Sequence, residues 1–302
     1  MMTTEPRGHL DPRAIVTMII LTLVWGFNMT TIKFCNQGIS PVFASALRSL
    51  VASICGGIYC LQKGQKLFHT DIMLFHGFMA GLLFGLEFAC IYFGMLYTDA
   101  ARSVIFLNLS PFVVAVGAHF LLKGERLTFL KSLGLVLAFT GIFVVFRGRP
   151  KTAKETMFIG DLLEITAAFL WGATTLYIKK FIAGRIDPIN TFLYQLFFSI
   201  PILLIVSLIL EPHWIYKMDL YIFGAIFYQS IIVAFISYFI WFKLIHRYPV
   251  SKLSAFSFFT PIFGVLFSSL LLKEEFTVSL LLGLPMVSIG IFFVNWRRKD
   301  NF

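Results

Sequence analysis

The sequence predicts an all-α integral membrane protein: ten transmembrane helices arranged as two inverted five-helix repeats. Three observations carry that prediction. Of 302 residues 58% are hydrophobic, 36 of them Phe, and 13% are charged, about half the charged share of an ordinary soluble domain. A soluble chain of this size has no interior large enough to hide so much apolar surface. The apolar residues fall into runs of about 20, the length that crosses the hydrocarbon core as a helix. The chain also repeats itself at an offset of 146 to 150 residues.

The runs lie near 14–35, 42–61, 72–97, 103–122, 129–146, 159–182, 189–210, 220–245, 251–272 and 277–296, separated by charges, Pro, Gly and Asn. The first reads as a span and not as a cleaved signal, because Trp25-Gly26-Phe27-Asn28 stands where a small-x-small cleavage site belongs. The connections are too short for a soluble domain. The longest, Arg147 to Phe158, is a polar hinge, so 1–148 forms a first unit, 149–158 the hinge and 159–302 a second unit. Net charge is +10, but the basic residues flank apolar runs and form no basic face, which excludes a nucleic-acid partner. Eight of the 25 Lys and Arg fall on one side of the spans (Lys33, Arg102, Arg147, Arg149, Lys151, Lys154, Lys217 and Lys273), Arg48 lies inside a span, and the rest fall on the side of both termini. That bias puts both termini in the cytoplasm. The four cysteines, Cys35, Cys55, Cys60 and Cys90, lie within or at the end of apolar runs and form no disulfide scaffold.

The internal repeat is an ordered series. Leu23-Val24-Trp25-Gly26 recurs as Phe169-Leu170-Trp171-Gly172, and Ile32-Lys33 as Ile178-Lys179. Ser40-Pro41 matches Asp187-Pro188. Ala101-Arg102-Ser103-Val104 and Leu109-Ser110-Pro111-Phe112 align with Ser251-Lys252-Leu253-Ser254 and Phe259-Thr260-Pro261-Ile262, and Phe120 to Glu125 continues as Leu270 to Glu275. Five spans per copy is an odd number, so the second copy enters the membrane from the opposite face. Inverted repeats of this kind are the architecture of secondary transporters, in which alternating access moves a midplane site between the two faces.

The stretch Tyr97-Thr98-Asp99-Ala100-Ala101-Arg102-Ser103-Val104, through Leu109-Ser110-Pro111-Phe112 to Lys123-Gly124-Glu125-Arg126-Leu127-Thr128, resembles the EamA repeat of the drug/metabolite transporter superfamily. A second copy runs from Pro249-Val250-Ser251-Lys252 to Thr260-Pro261 and on to Lys273-Glu274-Glu275-Phe276-Thr277, and the Trp-Gly pairs of spans one and six are similar to that family as well. The resemblance implies a ten-helix carrier in the bacterial inner membrane, commonly an exporter of metabolites or amino acids. Glu274 departs from it, standing where glycine is usual, and Asn108 departs as well.

Within the spans, Glu87 is the sharpest signal. A carboxylate deep in a membrane helix costs roughly 2.5–3.5 kcal/mol on insertion and therefore faces a cavity or a partner. Gly77, Gly81, Gly85 and Ala89 make a small-residue seam on the same helix, and Glu87 projects away from it. It can bind an amine-bearing substrate, take up a proton, or pair with Arg48 of span two as a buried ion pair. Trp25 and Trp171 sit deep in pseudo-symmetric spans and serve either as site walls or as packing anchors. Asn28 and Asn108 are amides that bond substrate or a neighbouring helix. Pro111 and Pro261 break spans four and nine at matching positions, a pointer to a site or gate. Tyr238, Tyr92 and Gln229 are secondary candidates. Arg102 and Lys252 read as flanking charges, while Glu125 and Glu275 shape turns into spans five and ten, whose caps are Thr128 and Thr277.

The six histidines show no metal-ligand pairing and no Walker-type phosphate loop is present, so the sequence predicts neither metal nor cofactor, and no enzyme. The expected function is secondary transport of a small organic metabolite, an amino acid or related amine-bearing solute, out of the cell by alternating access. Solute gradients or protons supply the energy, and the protein is a monomer or weak dimer in contact with membrane lipid. The alternatives are an importer or exchanger of the same fold, or a scaffold or receptor that passes no solute.

Overall fold

A computed structural model describes residues 11–68, 72–121, 127–148, 154–248, 253 and 255–295. The chain is helical throughout this range, and the only β pairing among the described residues is an isolated bridge between Ile39 and Ile215. The elements are α1 (Pro12–Cys35), α2 (Pro41–Gln62), α3 (Ile72–Gly94), α4 (Ala100–Leu107), α5 (Ser110–Leu121), α6 (Phe129–Arg147), α7 (Met157–Phe181), α8 (Pro188–Leu210), α9 (Leu220–Phe227), a π-helical segment (Tyr228–Ser237), α10 (Tyr238–Arg247), a 3₁₀ turn (Ala255–Phe258), α11 (Phe259–Leu272) and α12 (Val278–Asn295). Eight stretches are long and apolar enough to cross a membrane, with α4–α5 and α9 through Trp241 each counting as one; Phe259–Leu272 and Val278–Val294 are shorter apolar helices. The ninth expected run is the least covered, because 251, 252 and 254 lie outside the described residues.

Local chemistry fixes where the helices begin. Asp11-Pro12, Ser40-Pro41 and Asp187-Pro188 each place proline at the first helical position, where its missing N–H costs nothing. Asp11 accepts from the Ala14 amide at 2.8 Å and Asp187 from that of Ile189 at 3.0 Å. Thr128 and Thr277 cap α6 and α12 as expected, accepting from the amides of Lys131 and Leu280; Glu125 lies outside the described residues. Span four breaks at Asn108 and Leu109, and the new helix α5 starts one residue before Pro111. The proline ring cannot follow a regular turn, so it becomes the opening of the second piece. In the second copy, the 3₁₀ turn ends and α11 begins two residues before Pro261.

The helices pack copy against copy. The glycine of each Trp-Gly pair lies against a helix of the other copy: a Cβ on Gly26 would come within 2.8 Å of the Gly264 amide nitrogen of α11, and one on Gly172 within 2.5 Å of Val113 of α5. Between α6 and α12 the approach is backbone on backbone, and reciprocal. A Cβ on Gly134 would stand 2.7 Å from the carbonyl oxygen of Gly290, and one on Gly141 2.9 Å from that of Gly283. The seam of α3 packs as expected, with Gly77 on Tyr194, Gly81 on Phe198 and Gly85 on Ile202, all from α8. Large apolar side chains such as Phe129, Leu220, Tyr221 and Val136 cover the outside, the surface that a lipid surround demands.

The loops gather at two ends. One end, called proximal here, carries the contact of Tyr248 with Asp11; the distal end carries residues 36–40, 95–99, 211–219 and 273–277.

Candidate functional site

Arg48 on α2 and Glu87 on α3 are both buried, 1% and 3% exposed, and they interact electrostatically. They form no ion pair within 4 Å, and Arg48 Nε, Arg48 Nη2 and Glu87 Oε2 have no hydrogen-bond partner among the described residues. The Arg48 guanidinium lies 3.9 Å over the ring of Phe88, a cation–π contact that holds it without neutralising it. A closed ion pair between these two is therefore not the arrangement found.

Around them stands a polar and aromatic group drawn from both sequence copies. Tyr92 Oη donates to Gln229 Oε1 from the π-helical segment, and both Tyr92 and Tyr238 interact electrostatically with Arg48. Tyr238 stacks on Phe192 and lies 6.4 Å from Trp25, whose indole Nε1 donates to Ser237 Oγ at 2.9 Å. Gln229 Nε2, Ser45 Oγ, Ser49 Oγ and Asn28 Oδ1 are also buried without hydrogen-bond partners. Such groups cost free energy in a dry interior, and a cluster of them marks where water or a ligand belongs. The π segment helps to make the site: its wider winding is a recurrent feature of functional sites in helices, and it carries Gln229 and Ser237.

The predicted residues divide accordingly. Trp25, Glu87, Arg48 and Tyr238 meet in one region. Asn28 is buried, 5% exposed, on α1. Asn108 closes α4 by donating to its own helix at the Val104 carbonyl, 2.7 Å away. Trp171 does not share the place of its counterpart Trp25: it is 42% exposed at the surface. Pro111 and Pro261 sit at helix starts, as described.

Arg102 is not the flanking charge that its position at a span end suggests. It is fully buried, pairs with Asp161 of α7 (Nη2 to Oδ2 2.5 Å, Nε to Oδ1 3.2 Å) and donates to the carbonyls of Val145, Phe146 and Gly148 at the end of α6. Thr98 also donates to Asp161. Lys252 lies outside the described residues.

The distal end is closed by contacts between the copies. Glu211, at the end of α8, accepts from the amides of Val42 and Phe43 at 2.8 and 3.0 Å, while Glu274 accepts from those of Ala100 and Ala101 at 2.8 and 2.9 Å. Each carboxylate thus caps the N-terminus of a helix in the other copy, where the helix dipole favours an anion. Burial pushes the Glu274 carboxyl above its ordinary range, against the pull of the two amides, and Asp99 beside it adds to the rise. Ser40 donates from its amide to the Trp214 carbonyl at 2.8 Å, and the amide of Tyr216 donates to Gly38 at 2.8 Å. Phe43 stacks on Trp214. At the proximal end, the loops that correspond by the repeat offset meet through Asn190 Nδ2, which donates to the carbonyls of Lys66 and Leu67 at 2.6 and 3.2 Å. There they line a cavity of about 610 Å³ with Gln65, Lys66, Arg185 and Asp187.

A multi-pass helical membrane protein built on two copies of one unit, with opposite charges buried between them, is the class that these features define. The profile of the EamA-like transporter family matches residues 12–147 and 158–296, and the chain belongs to that family. It is 25% identical over 295 residues to an uncharacterized transporter, YoaV, of Bacillus subtilis (strain 168), covering 95% of this chain and 99% of that one. It is 24% identical over 295 residues to a probable amino-acid metabolite efflux pump of Escherichia coli (strain K12), covering 94% and 96%. A crystal structure superposes with a TM-score of 0.68 at 17% identity, over 94% of this chain and 96% of that one, a likeness of fold.

Proposed function

We propose that this protein is a secondary carrier that exports a zwitterionic metabolite of the amino-acid class across the bacterial inner membrane, working by alternating access between two inverted five-span repeats with both termini in the cytoplasm. The observation that carries the reading is the open pair of Arg48 and Glu87. Two opposite charges, both buried and short of partners, suit a ligand that brings a carboxylate for the guanidinium and an ammonium for Glu87. Phe88, Tyr92, Phe192 and Tyr238 supply apolar walls and a cation-tolerant face. The name of the Escherichia coli relative points the same way.

The contacts of Glu211 and Glu274 with helix starts of the other copy suit a carrier closed at the distal end.

The test is binding and flux in proteoliposomes with a panel of zwitterionic, cationic and anionic solutes. Zwitterions bind and move. Glu87→Gln and Arg48→Gln each weaken binding roughly 10- to 100-fold, the worth of one charge-assisted hydrogen bond of about 1.5–3 kcal/mol, and Glu87→Gln shifts preference toward solutes without the amine. Flux of zwitterions unchanged by both variants overturns the assignment of the site, and absence of any solute flux overturns the carrier.

A further inference from the structure

A second buried carboxylate stands apart from the Arg48–Glu87 pair. Glu164 lies on α7, three residues beyond Asp161; it is 0% exposed and neither carboxylate oxygen has a hydrogen-bond partner. Arg102, next to Ser103 on α4, is committed to Asp161 and three carbonyls, and Glu164 has no ion pair within 4 Å. The groups that act on it come from every side: Asp161 on its own helix, Lys33 from α1, Ser103 from α4 and Cys90 from α3. Ser103 Oγ contacts the Met29 sulfur at 3.9 Å. Room for the carboxylate is made by a glycine: a Cβ on Gly94 of α3 would stand 3.2 Å from Glu164 Oε1 and 3.1 Å from Leu163 Cβ.

We propose that Glu164 is a proton-binding site of this protein, loaded from the distal end. An ionised carboxylate so placed, with no ion pair and at most the Ser103 hydroxyl to donate to it, costs several kcal/mol, and the smallest ligand that removes the charge is a proton. A metal ion requires a shell of oxygens, whereas the neighbours here include a glycine, a leucine and a thiol. The step is simple: one proton from water joins a carboxylate oxygen as an O–H bond and returns to water when the site unloads. The distal end suits delivery. Glu274 and Asp99 of the 273–277 and 95–99 loops interact electrostatically, as do Asp99 with Asp161 and Asp161 with Glu164, an acid-rich series tempered by Lys33. On α3, Cys90, three residues from Glu87, interacts with both Glu164 and Glu87, a spatial coupling of the proton site to the charge pair. The carrier reading gives that coupling its use; the site itself does not depend on it.

The test is infrared difference spectroscopy of the purified full-length protein across a pH series in H2O and D2O, read at the protonated-carboxyl C=O band. The expected result is a band that shifts in D2O, is lost in Glu164→Gln, persists in Glu87→Gln, and returns at a shifted position in Glu164→Asp. Gly94→Ala, which crowds the carboxylate from across α3, shifts the same band and serves where Glu164→Gln fails to fold. A spectrum identical in wild type and Glu164→Gln, or a band that never exchanges in D2O, overturns the proposal. Solute flux lost in Glu87→Gln with the Glu164 band intact keeps the two readings apart: the first bears on the carrier site, the second on the proton site alone.

Discussion

Glu274→Ala tests what holds the distal end shut. In the structure the Glu274 carboxylate accepts two amide hydrogens, from Ala100 at 2.8 Å and Ala101 at 2.9 Å, at a helix start where both alanines are buried. Hydrogen bonds to a charged acceptor contribute about 1.5–3 kcal/mol each. Taking the lower figure for both, because the loop retains some access to water, the variant loses about 3 kcal/mol. That amounts to a shift on the order of 100-fold in the ratio of distally closed to open molecules. Spin labels on Leu96→Cys and Phe276→Cys, both 46% exposed, report the separation of the two loops in a background without the four native cysteines. Pulsed dipolar measurements at pH 8 in wild type give one short distance, and Glu274→Ala adds a longer population. A distance distribution unchanged in Glu274→Ala refutes the idea that this carboxylate is a latch.

Three further outcomes follow from the same structure. Arg102→Leu strands Asp161 as an uncompensated buried charge and lowers stability by roughly 3–5 kcal/mol, seen as a large fall in the thermal unfolding midpoint, whereas Arg102→Leu with Asp161→Leu recovers most of it; a single variant as stable as wild type contradicts the burial described. Gly26→Val forces a branched side chain against the Gly264 backbone, at a cost of about 1–3 kcal/mol, while Gly224→Ala, where nothing lies within 4 Å, is neutral or stabilising by about 0.5–1 kcal/mol; equal thermal midpoints for the two dismiss the close approach of α1 and α11. The carboxyls of Glu274 and Asp99 are both raised, chiefly by burial, and opening returns them toward ordinary values. The closed form therefore binds more protons in the window between the ordinary and the raised values, so acidification favours closure and rising pH favours opening; a loop distance independent of pH in wild type, or equally pH-dependent in Glu274→Gln, sinks that sign.

Much of this architecture was legible in the residues because its cause is local or periodic. Apolar runs, the Trp-Gly pairs, the Asp-Pro and Ser-Pro helix starts and the four-residue seam of α3 each act through spacing, and each reappears in the packing. What stayed hidden depends on partners distant in sequence. Arg102 reads as a flank because it stands near a span end, yet its burial is decided by carbonyls 43 to 46 residues on and by Asp161 at 59. Glu274 reads as a departure from a family glycine; its partners, the amides of Ala100 and Ala101, belong to the other copy. Glu164 does carry a signal in the sequence: two carboxylates, Asp161 and Glu164, stand about one turn apart inside an apolar run. The π segment, Tyr228–Ser237, has no residue signature in the sequence. Repeat symmetry misled in one place, equating Trp171 with Trp25, because symmetric positions face different surroundings once a single conformation is adopted.

The reciprocal glycine crossings of α6 and α12 bear on how such a molecule could move. Gly134 against Gly290 and Gly141 against Gly283 are two points on one line, and two fixed points define an axis. Any rearrangement that keeps both crossings leaves these helices stationary relative to each other, a spindle with the remaining helices turning beside it. Slippage by a single residue would bring a Cβ onto a carbonyl at one crossing or the other. The pair resists sliding but tolerates its neighbours' rotation, so in the carrier proposed above the moving parts would lie among α1 to α5 and α7 to α11.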